Sequence, residues 1–230
     1  MKAFLFTFLA LASTAGALLA HSSAAPVKTK PQPLFDGQTT HGWHTYLHPT
    51  AAPAWAVVNG ALQLDPKATG RGDLVTDGEY ENFELALEWK ITPGGNSGLI
   101  FGVHEDPAFP HPYDTGVEMQ VLDDQAAEDN KKPTHRAGSL YDMQAPARDV
   151  AKPAGEWNRV RLRKQNGHLT FWLNAVPIVD VQMGSDQWKA LVANSKFKTW
   201  EHFAAFPKGH IALQDHGHEV AYRAITLQQL

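Results

Sequence analysis

Apolar residues recur at every second position over much of the chain, the spacing of a strand with one face in a core. FELALEWKI (83–91) sets Leu85, Leu87 and Trp89 on one face and Glu84, Glu88 and Lys90 on the other. SGLIFGV (97–103) is apolar without interruption and predicts a strand covered on both faces. WAVVNGALQL (55–64) and RVRLRKQNGHLTFWLN (159–174) each join two apolar runs through Asn-Gly, at 59–60 and 166–167. That dipeptide accepts the positive φ angles of a two-residue hairpin turn. VPIVDVQ (176–182), HIALQDH (210–216) and VAYRAITLQQL (220–230) bring the total to about ten or eleven strands. Helical spacing is confined to SDQWKALVANSKF (185–197), with Ser185 or Asp186 as cap and Trp188, Leu191 and Val192 on one side. The pattern predicts an all-β, two-sheet jelly-roll sandwich with one short helix around 185–195 and one sheet bent around a groove.

TGVEMQVLDD (115–124) stands out within this pattern. Glu118 and Gln120 share the face opposite Val117, Met119 and Val121, about 7 Å apart along the strand. Two readings fit: a solvated outer surface, or the lining of a concave polar groove. Long irregular segments at 104–115 and 124–138 flank this strand, and loops of that length in a compact β domain carry function or are disordered. Asp123 falls at an odd offset and joins Glu118 and Gln120 only if a bulge or the strand end re-aims it.

The first thirty residues change the cellular picture. MKAFLFTFLALASTAGALLAHSSAAPVKTK has one Lys, an apolar run and a small-residue exit, the plan of a signal peptide over residues 1–25. The small-residue exit favours cleavage over an uncleaved anchor. The chain has no Cys, which removes disulfides, cysteine chemistry and a lipid-modified cysteine. The expectation is a periplasmic or secreted protein with no stable membrane anchor after cleavage. Residues 26–33 are expected to be disordered, and 34–230 to form one domain. The full chain carries a net charge of −4, and loss of Lys2 makes it −5. With no basic block, nucleic acid is not an expected partner.

Several chemistries fall away on spacing. His216 and His218 alternate in a turn-like stretch, without an HExxH or Cys/His framework, and read first as solvated. The acidic run of Asp123, Asp124, Glu128 and Asp129 lacks the spacing of a calcium loop. No cofactor is required, although a divalent cation stays open. GGNSGL (94–99) is a turn entering a strand and neither a nucleophile elbow nor a phosphate loop. Its Asn96 and Ser97 remain able to meet a polar ligand. Seven Trp and five Tyr suit sugar stacking; Trp89 and Trp157 read as core, Tyr141 and Trp43 as groove residues.

Six motifs in order, LFDGQTTHGW (34–43), NSGLIF (96–101), TGVEMQVLDD (115–124), AGSLYDM (137–143), AGEWNRVRL (154–162) and HIALQDHGHEVAYRAITL (210–227), resemble the 3-keto-disaccharide hydrolase-like domain family. The resemblance spans 34–230. It implies a concanavalin A-like, glucanase-like jelly roll exported by bacteria, acting on a small carbohydrate already oxidised at C3. The carbonyl acidifies the C2 hydrogen, so a base removes it, the glycosidic oxygen leaves C1, and water adds back for net hydrolysis. By position, Glu118 and Gln120 fall in the family's E-x-Q motif with Asp123 after it. Gln214 and His216 fall in its L-Q-x-H-G motif, and Arg223 on the closing strand. The implied roles are proton transfer by Glu118 or His216, and a grip on hydroxyls by Asn96, Gln120, Tyr141 and Gln214. Gly102 stands where relatives commonly carry Arg, and Arg136 is the nearby substitute. Two alternatives stay open: a retaining glycoside hydrolase, whose two carboxylates would sit about 5–5.5 Å apart, and a non-catalytic sugar-binding module. The sugar, the linkage, an assisting metal and the oligomeric state are left unspecified.

Overall fold

The computed structural model describes Met1 and residues 29–230; the expected signal peptide therefore lies almost wholly outside the described residues. Thirteen strands form: β1 (Gln32–Pro33), β2 (Trp43–Thr45), β3 (Trp55–Val58), β4 (Ala61–Leu64), β5 (Leu74–Thr76), β6 (Phe83–Ile91) and β7 (Asn96–Val103), then β8 (Val117–Leu122), β9 (Asn158–Gln165), β10 (His168–Leu173), β11 (Val176–Gln182), β12 (His210–Leu213) and β13 (Val220–Gln229). One sheet runs β11-β10-β9-β6-β13-β4-β3, with β1 added along β13. The other runs β2-β5-β12-β7-β8. All pairings are antiparallel, as expected of a jelly-roll sandwich.

Both Asn-Gly turns adopt the predicted conformation, with φ of 50° and 75° at Asn59-Gly60 and again at Asn166-Gly167. Helix α1 (Asp186–Ala193) starts at Ser185, whose Oγ accepts the Trp188 N–H at 3.1 Å. A 3₁₀ turn at Lys196–Thr199 follows.

The larger sheet presents its outer face to solvent as a ladder of cross-strand ion pairs. Arg163 meets Glu84 at 2.6 Å, and Arg159 and Arg223 both meet Glu88 at 2.8 Å. The inner face supplies Phe83, Leu85, Trp89, Leu162 and Tyr222 to the core. Sheet β2-β5-β12-β7-β8 is covered on both faces, and all eight residues of β7 are buried. On its outer side a second cluster of Tyr46, Val75, Ile100, Val103 and Ala212 packs beneath the segment that follows β7.

Three expectations change. Residues 29–33 are ordered against β13, with Gln32 opposite Leu227 and the Thr29 N–H on the Gln229 carbonyl at 3.3 Å. Pro31 and Pro33 suit that position, since an edge strand leaves some N–H groups unused. Trp43 is core, with its Nε1 donating to the Leu34 carbonyl at 2.7 Å. Trp157 is half-buried on the outer surface, with Lys90 and Arg223 over its ring at 5.0 and 4.0 Å.

The segment after β7 is clasped to the β2 edge through His44. Its Nδ1 meets Asp77 at 2.7 Å and its Nε2 meets Glu105 at 2.9 Å. Burial pulls the His44 pKa down, but the bonds to Glu105 and Asp77 outweigh it and the net shift is upward. The clasp therefore stabilises the fold fully below the ordinary histidine pKa and loses that contribution as pH rises through the elevated folded value. His44→Gln is expected to lower Tm by roughly 2–4 °C at pH 6, as for a loss of about 1 kcal/mol, and by less at pH 9. Equal losses at both pH values in thermal melts would remove the charge from the explanation.

Candidate functional site

A groove opens on the outer face of the β5-β12-β7-β8 sheet. One part, of about 710 Å³, is lined by Asp73, Asn96, His111, Tyr113, Asp114, Glu118, Gln120, Tyr141, Lys196, Trp200, Gln214, Asp215 and His216. A second part, of about 690 Å³, continues over Gly94, Ala126, Glu128, Asp129, Lys131 and His218, and shares Asn96, Tyr141 and His216 with the first. Cavities of this volume accept a small organic ligand.

The floor is made by strand alternation. In β8, Val117, Met119 and Val121 enter the core, so Glu118 and Gln120 must face the groove. The backbone of this edge strand is fixed on its open side by residues 138–141. Gly138 N–H donates to the Gln120 carbonyl at 2.8 Å, Gln120 N–H to the Ser139 carbonyl at 3.1 Å, and Tyr141 N–H to the Glu118 carbonyl at 3.1 Å. On the other side β7 lies antiparallel, with Gly98 opposite Gln120. The Glu118 carboxyl lies over Gly98, and a Cβ there would overlap its Oε1.

Glu118 is only 6% exposed. Burial pushes its pKa up to about 8, opposed by Lys196 and reinforced by Asp73 and Asp129. Asp73, at the mouth of β5, is likewise pushed up to about 7 by burial, with the negative charge of Asp215 adding to the rise. Asp215 moves the other way: burial raises it, but its bonds to Arg71 at 3.0 and 2.6 Å hold it below the usual carboxylate range. Burial thus raises two carboxyls in one cavity, a kind of shift that clusters at functional sites.

The walls are amides, aromatics and two lysines, Lys196 in one part and Lys131 in the other. Asn96 Oδ1 and Gln214 Oε1 are buried without a hydrogen-bond partner among the described residues. Both residues line the groove, where a ligand or water can supply the missing donor. Tyr141 OH donates to Asp129 at 3.0 Å, and Asp129 is held by His135 at 2.7 Å, which bonds Asp142 at 2.7 Å on its other nitrogen. Lys196 Nζ lies 4.4 Å from the Tyr141 ring and 5.7 Å from that of Trp200.

Of the residues singled out in the sequence, Glu118, Gln120, Asn96, Tyr141, Gln214 and His216 come together on this groove. Asp123 does not line it. Its carboxylate accepts the Gly94 N–H at 2.8 Å and the Gln125 N–H at 3.1 Å, closing two turns at the end of β8. Arg136 pairs with Asp149 at 2.6 Å, away from the lining. Arg223 is on the far side of the molecule with Glu88, because Tyr222 before it takes the core position. Gly102 has φ of 70° at a register shift between β7 and β12, so the position where relatives commonly carry Arg is here a left-handed bulge. The sequence does not single out Asp73, Asp215 or Lys196: Asp73 lies outside the segments read as strands, and Asp215 and Lys196 sit at the ends of a strand-like and a helix-like segment whose patterns mark no site. His111, Tyr113 and Asp114 come from the long segment already suspected of function. Among the described residues no group of three or more His, Cys, Asp or Glu has the geometry to hold a metal ion; His216 and His218 stack in parallel with ring centroids 6.1 Å apart.

Fold and groove together define a β-sandwich with a polar groove on one sheet that carries two carboxyls whose pKa values burial raises. The chain belongs to the 3-keto-alpha-glucoside-1,2-lyase-like domain family, whose pattern matches residues 30–228. It is 30% identical over 224 residues to a 3-keto-disaccharide hydrolase of Bacteroides thetaiotaomicron, an alignment covering 86% of this chain and 77% of that protein. A candidate glycosyl hydrolase from Parabacteroides distasonis superposes with a TM-score of 0.80 at 29% identity, covering 87% of this chain and 94% of the other. A second protein of that description from the same organism gives 0.68 at 27% identity, over 88% and 100% of the two chains.

Gly98→Ala tests the packing. The backbone there is extended and tolerates Cβ, so the variant is expected to fold while its methyl displaces the Glu118 carboxyl; activity should fall at least tenfold with Tm within a few degrees of the parent. Glu118→Gln tests the buried proton. Between about pH 4.5 and 8 the folded chain retains a proton that the unfolded chain has lost, so parent stability falls as pH rises through that window. The variant lacks this slope, and its Tm should exceed the parent's by several degrees at pH 8 while matching it near pH 4.5. A parallel pH–Tm dependence in the two proteins would place the titrating proton elsewhere.

Proposed function

We propose that the groove cleaves the glycosidic bond of a sugar already oxidised at C3, by loss of the C2 proton, departure of the glycosidic oxygen from C1 and re-addition of water. The observation that carries this reading is the buried Glu118 carboxyl, pushed up to about 8 at one side of a sugar-sized cavity. At neutral pH such a group is mainly protonated and so suits the acid that donates to the departing oxygen. The C2 proton passes to a second group across the ring. The unpartnered Asn96 and Gln214 amides are available to hydroxyls, and Lys196, which lines the same part of the groove, supplies a positive charge to oppose the negative charge that develops as the C3 carbonyl becomes an enolate. His216, with Asn96 and Tyr141, lines both parts of the groove and so is within reach of either sugar unit of a disaccharide spanning them. The names of the family and of the Bacteroides relative point to the same substrate class.

A retaining mechanism has less support. It needs a second carboxylate close to Glu118, and the sequence's nearest candidate, Asp123, is committed to backbone N–H groups outside the lining.

The test uses a 3-keto-disaccharide and its unoxidised parent, with release of reducing sugar as readout. Turnover of the keto form alone is expected, and equal cleavage of the parent would overturn the reading. Glu118→Gln should lower kcat roughly 10²–10⁴-fold on a sugar leaving group. For the parent enzyme, kcat/KM should decline above about pH 8, near the pKa at which Glu118 loses its proton.

A further inference from the structure

We propose that Asp73 is the base that removes the C2 proton, working from the wall of the groove opposite Glu118. This rests on the reading of the groove as a 3-keto-glycoside site and names the group that reading leaves open.

The placement comes from strand order. Asp73 enters β5 and Glu118 lies on β8, with β12 and β7 between them. At the usual spacing of neighbouring strands their backbones are roughly 14 Å apart, yet both side chains line one cavity. The floor between them is formed by Asn96 at the start of β7 and Gln214 just after β12. A pyranose standing edge-on over those amides presents one ring face to each carboxyl.

That arrangement matches the stereochemistry of the elimination. In a glucopyranose chair the C2 hydrogen is axial, and an α-linked oxygen at C1 is axial on the other face. The two are antiparallel, so base and acid have to approach from opposite faces. A β-linked oxygen is equatorial and lacks this alignment. Two carboxyls on one wall would serve neither face well.

Asp73 is also kept available. Its Oδ1 accepts the Asp215 N–H at 2.7 Å, which fixes its orientation. The adjacent cation, Arg71, is engaged by Asp215, which also takes the Gly72 N–H at 3.0 Å. Asp73 thus has no guanidinium of its own to weaken it as a base. Burial holds both carboxyls above the usual carboxylate range, and the charge of Asp73 raises Glu118 further, so an ionised Asp73 favours a neutral Glu118.

The cycle balances. The C2 proton passes to Asp73, and the C–H electron pair forms the C1–C2 double bond through the enolate of the C3 carbonyl. The C1–O bond breaks, its electrons stay on the departing oxygen, and that oxygen takes the proton of Glu118. Water then adds to C1, giving its proton to Glu118, while Asp73 returns a proton to C2. Both carboxyls end as they began.

The decisive experiment separates the two proton transfers. Purified Asp73→Asn, Glu118→Gln and His216→Asn are compared on a 3-keto-glucoside with a sugar leaving group and on one with 4-nitrophenolate, which departs without an acid. Exchange of the C2 hydrogen in deuterium oxide is followed by NMR. Asp73→Asn is expected to lose at least 10²-fold on both substrates and to abolish exchange. Glu118→Gln should fail on the sugar leaving group, recover on 4-nitrophenolate and keep exchanging C2. Asp73→Glu, which restores a carboxylate, should regain part of the rate, a rescue that a purely structural role would not show, and it supplies the answer if the Asn variant does not fold. The proposal is overturned if Asp73→Asn exchanges C2 at the parent rate, if His216→Asn alone abolishes exchange, or if Asp73→Asn is the variant rescued by 4-nitrophenolate. If the parent protein turns over no 3-keto-glucoside at all, the functional reading itself fails, which is a different result.

Discussion

The Glu118 carboxyl is pressed over a glycine backbone and away from water, and the electrostatics of the groove depends on that contact. Gly98 leaves the volume the carboxyl occupies, since any side chain there would collide with it. Residues 138–141 seal the outer edge of β8, so neither its backbone nor its register can slip. Burying an ionisable group costs free energy in its charged form, and the group responds by holding its proton. The fold thus converts an ordinary glutamate into an acid that is neutral near pH 7. Lys196, at the exposed rim, limits that shift by favouring the ionised form.

The same period-two alternation produces opposite results on the two sheets. On the larger sheet the outward positions hold Glu84, Glu88, Arg159 and Arg163, which pair across strands in solvent. On the smaller sheet the outward positions hold Glu118, Gln120, Asn96 and Gln214 beneath covering loops, where water is scarce and charge is costly. Lengths of chain without regular structure make the difference. The segment after β7, tied down by His44, and the segment after β8 rise on either side of the floor and turn a sheet face into a groove. Loops carrying the variable chemistry on a rigid β scaffold are a recurrent division of labour.

Electrostatics within the groove follows from which carboxylates have found partners. Asp215 has Arg71, and Asp123 has two backbone N–H groups. Glu118 and Asp73 face the cavity and carry the elevated pKa values. The amides of Asn96 and Gln214 offer unpartnered acceptors to whatever donor enters the groove. A site preorganised in this manner loses little on binding, because strands hold its floor and not mobile side chains.

The sequence by itself determined the elements that depend on near neighbours. Alternation marked β6 and β8, the two Asn-Gly pairs marked their hairpins, and Ser185 marked the start of α1, since each signal acts over a few residues. It also determined that Glu118 and Gln120 share a face, because that is a property of one strand. Only the tertiary structure decided what that face meets. Asp73 and Glu118 lie 45 positions apart in the chain, and nothing local states that β12 and β7 bring them to one cavity. Arg223 shows the converse: its motif carried it toward the site, while the core position of Tyr222 sent it to the opposite surface. Depth of burial and identity of partners are sums over the whole fold, and they turn one carboxylate into an acid near pH 8 and another into a cap for a turn.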